Sequence, residues 1–268
     1  RQILFRIDFV TIFRITLKSI YMKKFLLFIL TFTFTFSYSQ LSTRTIEVKD
    51  GQMSKFIEMA GKKTKKFNNE DGTARFWTYE ILTGSDAGKI WRMQYASPEM
   101  RDNWEMNSEE VEYWQKNVSP YIANGSVNGN YIWNYAGPYS HNVDSENQNH
   151  IMMLVYTYKD SGEEDFWRFR ERVVAARKAM DPTPKGSMHS VVCSSGCNGN
   201  VAAIMFEYES WADQQNYNQE MLPKMIEKYN ELYGNNAYEQ DGSKVDKSLT
   251  ENGRGRIHLR FIPEASSD

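Results

Sequence analysis

A strand-to-helix corner occurs twice in this chain, and the repetition narrows the folds open to it. Lys49-Asp50-Gly51-Gln52-Met53-Ser54-Lys55-Phe56 follows one short alternating run, and Lys159-Asp160-Ser161-Gly162-Glu163-Glu164-Asp165-Phe166 follows another, 110 residues later. The segments after each copy match in type and order. Phe56 and Phe166 lie 110 residues apart, Ser97 and Ser210 lie 113 apart, and Ile132 and Ile257 lie 125 apart, so the second copy gains 3 and then 12 residues. Tyr95-Ala96-Ser97 with Asn103-Trp104 is answered by Tyr208-Glu209-Ser210 with Asn216-Tyr217 at one constant offset. These offsets favour a duplicated supersecondary unit.

Each copy reads strand, helix, strand, strand, helix, strand. In the first, Ile46 and Val48 alternate with Thr45 and Glu47, and Met53, Phe56, Ile57, Ala60, Thr64 and Phe67 then recur at helical spacing. Residues 74–82 and 89–95 flank a hairpin loop, and Ser97-Pro98 opens a helix that breaks near Asn107 and resumes with Val111, Trp114, Val118 and Tyr121. A loop over 125–129 and a strand over 131–136 complete the unit. In the second copy, a strand over 150–158 precedes a helix marked by Phe166, Phe169, Val173, Ala176 and Met180. A hairpin of 187–193 and 201–209 follows, then a helix from Ser210 interrupted near Pro223, a loop over 234–255 and a strand over 256–262. The prediction is an α+β fold of two tandem ferredoxin-like βαββαβ repeats, residues 40–140 and 150–268, joined by a polar linker over 141–149, with their sheets packed face to face as an α+β barrel. One such sheet carries helices on one face and leaves the other needing a partner, which a tandem copy can supply.

Met22-Lys23-Lys24, the apolar run Phe25 to Phe36 and Ser37-Tyr38-Ser39-Gln40 read as a secretory signal over 22–39, with residues 1–21 as upstream or leader sequence. The apolar run falls short of the ~20 residues of a membrane span, so an exported, periplasmic or secreted protein without a mature membrane anchor is expected. Residues 1–39 hold six basic side chains and one acidic one, and without them 26 basic residues stand against 33 acidic. That balance argues against a nucleic-acid partner. Both cysteines, Cys193 and Cys197, lie in Cys-Ser-Ser-Gly-Cys. In an oxidising compartment a local disulfide is the preferred reading, with free thiols as the alternative; the pair is too small a ligand set for structural zinc, so no metal site is expected.

The element order, the strand-Lys-Asp-helix corners at Lys49-Asp50 and Lys159-Asp160 and the Tyr-x-Ser helix starts resemble the dimeric α+β barrel superfamily over about residues 43–263. Its members include antibiotic-biosynthesis-type monooxygenases, haem-degrading monooxygenases and NIPSNAP-like proteins. The resemblance implies two sheets packed face to face, often enclosing a pocket, but no particular reaction. The tandem chain would be a monomer with an internal pseudo-dimer, or a homodimer. The Asn, Trp and His set of the haem-degrading relatives is not mapped onto matching positions here, so no catalytic residue is carried over.

Strand alternation offers pocket candidates. Trp77, Tyr79 and Trp133 could stack a planar ligand while Arg92 or Arg260 holds its carboxylate; alternatively these residues lie at the seam between sheets and pair with acids such as Glu47, Glu80 and Glu207. His150, His189 and His258 fall in strand-like runs of the second repeat, where an imidazole could ligate haem iron or move a proton. The leading expectation is a small aromatic or carboxylated ligand bound between the two repeats. The alternatives are a monooxygenase-type or haem-binding oxidoreductase, and a structural or interaction module without a ligand.

Overall fold

The computed structural model describes residues 40–105, 107–143 and 149–268; the expected leader, the signal segment and residues 144–148 of the linker lie outside the described residues. Strand β1 (Gln40–Val48) leads into helix α1 (Met53–Phe67), followed by β2 (Arg75–Ile81), β3 (Ile90–Ala96), α2 (Pro98–Glu105), α3 (Ser108–Asn117) and β4 (Ile122–Tyr135). Beyond the linker come β5 (His150–Tyr158), α4 (Glu163–Lys178), β6 (Met188–Ser195), β7 (Asn200–Tyr208), α5 (Trp211–Asn216), α6 (Leu222–Tyr233), α7 (Ala237–Ser248) and β8 (Leu249–Phe261). No helix among the described residues is long and apolar enough to cross a membrane.

The α+β class and the barrel are as expected, and the strands close into one antiparallel sheet ordered β1-β3-β2-β8-β5-β7-β6-β4 and back to β1. Every adjacent pair is antiparallel. The halves meet edge to edge at two seams, Tyr79 opposite Phe261 between β2 and β8, and Tyr135 opposite Val191 between β4 and β6. Closure pairs edges that two open sheets would have left exposed. Taken from β4, the order is 4-1-3-2 and then 8-5-7-6, the same sequence raised by four.

The two Lys-Asp corners make matching contacts. Lys49 N–H donates to the Tyr121 carbonyl, and its ammonium to Pro120 O at 2.7 Å. Lys159 N–H donates to the Ser248 carbonyl, and its ammonium to Lys247 O at 3.0 Å. In each half the corner lysine therefore ties the end of the first strand to the chain just before the fourth. Such ties satisfy carbonyls that would otherwise lack a donor.

Two layers of core result. Tyr79, Trp91, Trp133, Met153, Val191, Ala203 and Leu259, with partly buried Leu41, form one cluster that draws on all eight strands and fills the barrel. Outside it, Phe56 and Ala60 of α1 pack on Ile46, Ile90 and Ile122, while Phe166 and Val173 of α4 with Met225 and Tyr229 of α6 pack on Tyr156, Ala202 and Ile204. Both faces of the sheet are thus buried, and polar-apolar alternation along a strand cannot tell inside from outside.

Two expected loops are ordered elements. Residues 125–129 belong to β4, which pairs with β1 through Ile46 opposite Val127; register shifts in that ladder take up the glycine-rich stretch, and Gly129 turns at φ +65°. Residues 237–248 form α7, whose buried positions Ala237, Asp241, Val245 and Ser248 recur at helical spacing. The stripe hides in the sequence because Asp241 stands in its middle. It is accommodated because the Tyr229 hydroxyl donates to it at 2.7 Å and Arg172 at 2.6 Å. Ser97 and Ser210 cap their helices as expected, accepting from Met100 N and Asp213 N at 3.2 Å each. The interruption near Pro223 is a π-helical turn over Tyr217–Met221, placed where the proline lacks the N–H for a regular ladder.

Candidate functional site

The second half leaves a cavity of about 650 Å³ between the outer face of β5, β7 and β8 and a roof of α4, α6, α7 and the π-turn. Its floor is Met152, Leu154, Tyr156, Phe206 and Tyr208, and its roof includes Phe169, Val173, Tyr217, Met225, Tyr238 and Val245. The volume lies in the range of small-molecule sites. Residues 237–248 close one side of it.

Two arginines give the cavity its charge. Arg170 and Arg177 stand two turns apart on α4, on the face that also carries Phe166, Phe169 and Val173. Arg170 is 5% exposed, and its guanidinium lies 4.6 Å from the Tyr156 ring centre and 5.0 Å from that of Phe169. It has no ion pair among the described residues, and its Nε has no hydrogen-bond partner. Arg177 donates to the Tyr217 hydroxyl at 2.6 Å and to Gly186 O at 2.7 Å, leaving its Nε unpartnered. Burial pushes the Arg177 pKa down, and Tyr217 opposes that shift. Two further arginines line the cavity: Arg254 pairs with Asp246 at 2.7 Å, whereas Arg256 has no ion pair among the described residues. Of the lining acids, Glu207 faces His189 at 3.1 Å, Asp213 accepts from Glu209 N, and Glu220 is exposed. A buried cation without a carboxylate is costly unless something else answers its charge.

Beside the cavity, Tyr208 reaches from β7 across β5 to β8, where its hydroxyl is hydrogen-bonded to His258 Nδ1 at 2.6 Å. His150 stacks on Tyr208 with ring centres 6.0 Å apart, and Trp211 covers His258 at 4.6 Å. Burial, then Arg256 and His150, lower the His258 pKa, and burial raises that of Tyr208.

The ligand candidates read from the sequence fall in five places, and none of them lines this cavity. Trp77, Tyr79 and Trp133 pack inside the barrel, where Trp133 Nε1–H donates to Thr43 Oγ1 at 2.9 Å. Arg92 lies on the outer face beneath α1, donating to Thr64 Oγ1 at 2.5 Å and lying 4.4 Å from the Phe76 ring centre. Burial, reinforced by Arg44, pushes its pKa down to about 9. His189 pairs with Glu207, and Arg260 forms an exposed pair with Glu80. His150 and His258 come together around Tyr208. Cys193 and Cys197 are joined in a disulfide. Among the described residues no group of three or more His, Cys, Asp or Glu side chains could hold a metal ion. The cavity lining contains no histidine or cysteine, so a haem held through imidazole or thiolate does not fit it. Sequence reasoning missed Arg170 and Arg177. The signal was present, since each follows an apolar residue of the buried stripe by four positions, Phe166 and Val173.

No family model matches the chain, and no curated protein matches it in sequence. Solved structures do match it in shape. A provisionally named monooxygenase from Fusobacterium nucleatum superposes with a TM-score of 0.59 at 13% identity, covering 85% of this chain and 94% of the other. An anthrone oxidase-like protein gives 0.53 at 10% identity over 84% and 92%. A mutant chlorite dismutase from Candidatus Nitrospira defluvii gives 0.51 at 9% identity over 86% and 94%. At such identities the likeness speaks for architecture alone: the chain shares the fold of these structures.

Proposed function

We propose that the protein binds a small planar organic anion, an aromatic carboxylate in the simplest case, in the cavity of its second half. The observation that carries this reading is Arg170, a buried guanidinium with no carboxylate partner among the described residues, in a cavity walled by Tyr156, Phe169, Phe206 and Tyr238. Apolar walls with a few fixed charges bind such ligands by burying the ring and pairing the carboxylate. The ligand expected between the two repeats is relocated, because the barrel interior there is filled by side chains.

A thermal-shift series tests the reading. Benzoate, 2-naphthoate and indole-3-acetate are expected to raise the melting temperature, their neutral amides to have little effect, and Arg170→Met to abolish the response. Equal shifts from acids and amides, or no shift from any of the acids at millimolar concentration, would overturn it.

Three broader readings accompany it. The repeated strand order and the matched lysine ties support a tandem duplication of a ferredoxin-like unit. Closure of the barrel within one chain supports an internal pseudo-dimer. The Cys193–Cys197 disulfide supports an exported, periplasmic or secreted protein. The names of the Fusobacterium nucleatum protein and the anthrone oxidase-like protein favour oxidative chemistry as the second reading. It would need a ligand that reacts with dioxygen itself, since the cavity offers no imidazole or thiolate for a haem.

A further inference from the structure

We propose that Tyr208 and His258 form a proton-transfer pair which makes the cavity a site of keto–enol tautomerisation on an aromatic 2-oxo acid. The inference rests on the anion-binding reading above and deepens it.

Binding alone gives Tyr208 no reason to spend its hydroxyl on His258. Tyr208 lines the cavity, and its Oη lies 2.6 Å from His258 Nδ1; in the tautomer with the imidazole proton on Nε2, the Tyr208 O–H donates to that nitrogen. The charged and titratable groups around that ring come from three elements. They are Arg256 on β8, His150 on β5 and Tyr208 on β7. Two of these neighbours are cationic or become so on protonation, which favours the neutral imidazole that can accept a proton. Trp211 lies 4.6 Å over the ring and shields it. Among the described residues, no other cavity-lining hydroxyl bonds to an imidazole.

The step balances without an oxidant or a leaving group. With the ligand carboxylate at Arg170 and Arg177, the acidic C–H beside the keto group gives its proton to Tyr208 Oη as the Tyr208 proton passes to His258 Nδ1. The C–H electron pair remains on the ligand as an enolate, next to a cavity that also holds Arg256. His258, now imidazolium, returns a proton through Tyr208 to the enolate oxygen, and the product is the enol. Tyr208 touches the substrate and is the catalytic residue; His258 acts through it and is a positioning residue and proton store.

Phenylpyruvate, whose benzylic C–H exchanges on enolisation, is the probe, followed by proton NMR in D₂O beside a thermal-shift assay with the same compound. The wild-type chain is expected to bind it and to speed loss of the benzylic signal at least about tenfold over buffer, with a rate that rises with pH through a value below 6.5 and then levels. Tyr208→Phe and His258→Gln are expected to keep the thermal shift and lose about tenfold or more of the rate, and His258→Gln to lose the pH step. Should Tyr208→Phe fail to fold, His258→Gln and the wild-type pH profile decide the matter. Wild-type binding without faster exchange, or variants that exchange at the wild-type rate, would overturn the proton-transfer pair and leave the binding site standing. Absence of any wild-type thermal shift would overturn the site and the pair together.

Discussion

Arg170 holds a position where the apolar stripe of α4 calls for a hydrophobic residue, and its retention there sets stability against function. Its charge has left water, yet only ring faces answer it. Arg170→Met keeps the side-chain length and removes the charge, so the ligand-free variant is expected to be as stable as the wild type or more stable by about 1 kcal/mol. Urea unfolding of both proteins checks this, and a loss of several kcal/mol would mean that the arginine serves packing and not a ligand. Lys63 gives a residue-scale prediction in the first half. It is 2% exposed, bonded to Asn68 Oδ1 at 2.7 Å and paired with Glu110. Burial, then Arg92, outweigh Glu110 and push its pKa down to about 7 from 10.5. Below pH 7 both folded and unfolded chains carry the proton, and the folded one bears the full cost of burying it. Between about 7 and 10.5 only the unfolded chain holds the proton, so the Lys63 contribution to stability rises with pH across that window. Lys63→Met should flatten that rise in urea midpoints measured from pH 6.5 to 9.5; identical slopes in the two proteins would remove Lys63 from the account.

At the scale of elements, α7 shows what the sequence disclosed and what it withheld. The 12-residue gain between Ser210 and Ile257 was legible as an insertion, but its Asn, Asp, Ser and Gly content disguised a helix. Propensity argued for a loop, and tertiary packing overrode it through Ala237, Val245 and the bonded Asp241. The eight strands were readable because alternation and hairpin loops are local. Which face of each strand met the cavity was not, since side chains on both faces are buried and the roof is assembled from helices distant in sequence. Trp77, Trp133 and Arg92 looked like ligand groups for that reason, while Arg170 was hidden in a helix stripe. Gly242 makes α7 testable. A Cβ at that position would meet nothing within 4 Å, because the residue borders the cavity. Gly242→Ala should stabilise the protein by about 0.5–1 kcal/mol through helix propensity. Gly242→Leu should keep the fold and weaken the response to 2-naphthoate at least tenfold by filling the space. An unchanged response would put the ligand elsewhere.

For the whole molecule, closure makes the two halves depend on each other. The first half lends β2 as an edge to β8 and β4 as an edge to β6, so neither half can satisfy its own sheet. The C-terminal residues add a clasp: Thr78 Oγ1–H donates to Ala265 O at 2.8 Å, Thr78 N–H to Ser266 Oγ at 2.9 Å, and Ser267 N–H to Phe76 O at 2.7 Å. The tail thus runs on from β8 in the second half and finishes along β2 in the first, where Ala265 packs with Phe56 and Ala60. Gly61 of α1 makes this approach close. A Cβ there would stand 2.1 Å from the Glu264 carbonyl oxygen, and backbone cannot yield as a side-chain tip can. Gly61→Val is therefore expected to displace the tail and cost about 3 kcal/mol or more, in the range of severe steric substitutions. If the barrel is one cooperative unit, the loss will appear in the second half too. Hydrogen exchange should quicken in α4 and β7 together with α1 and β2, and urea unfolding should remain a single transition with a lower midpoint. Faster exchange confined to α1 and β2, or a second transition, would show that the repeats unfold as separate bodies despite their shared seams.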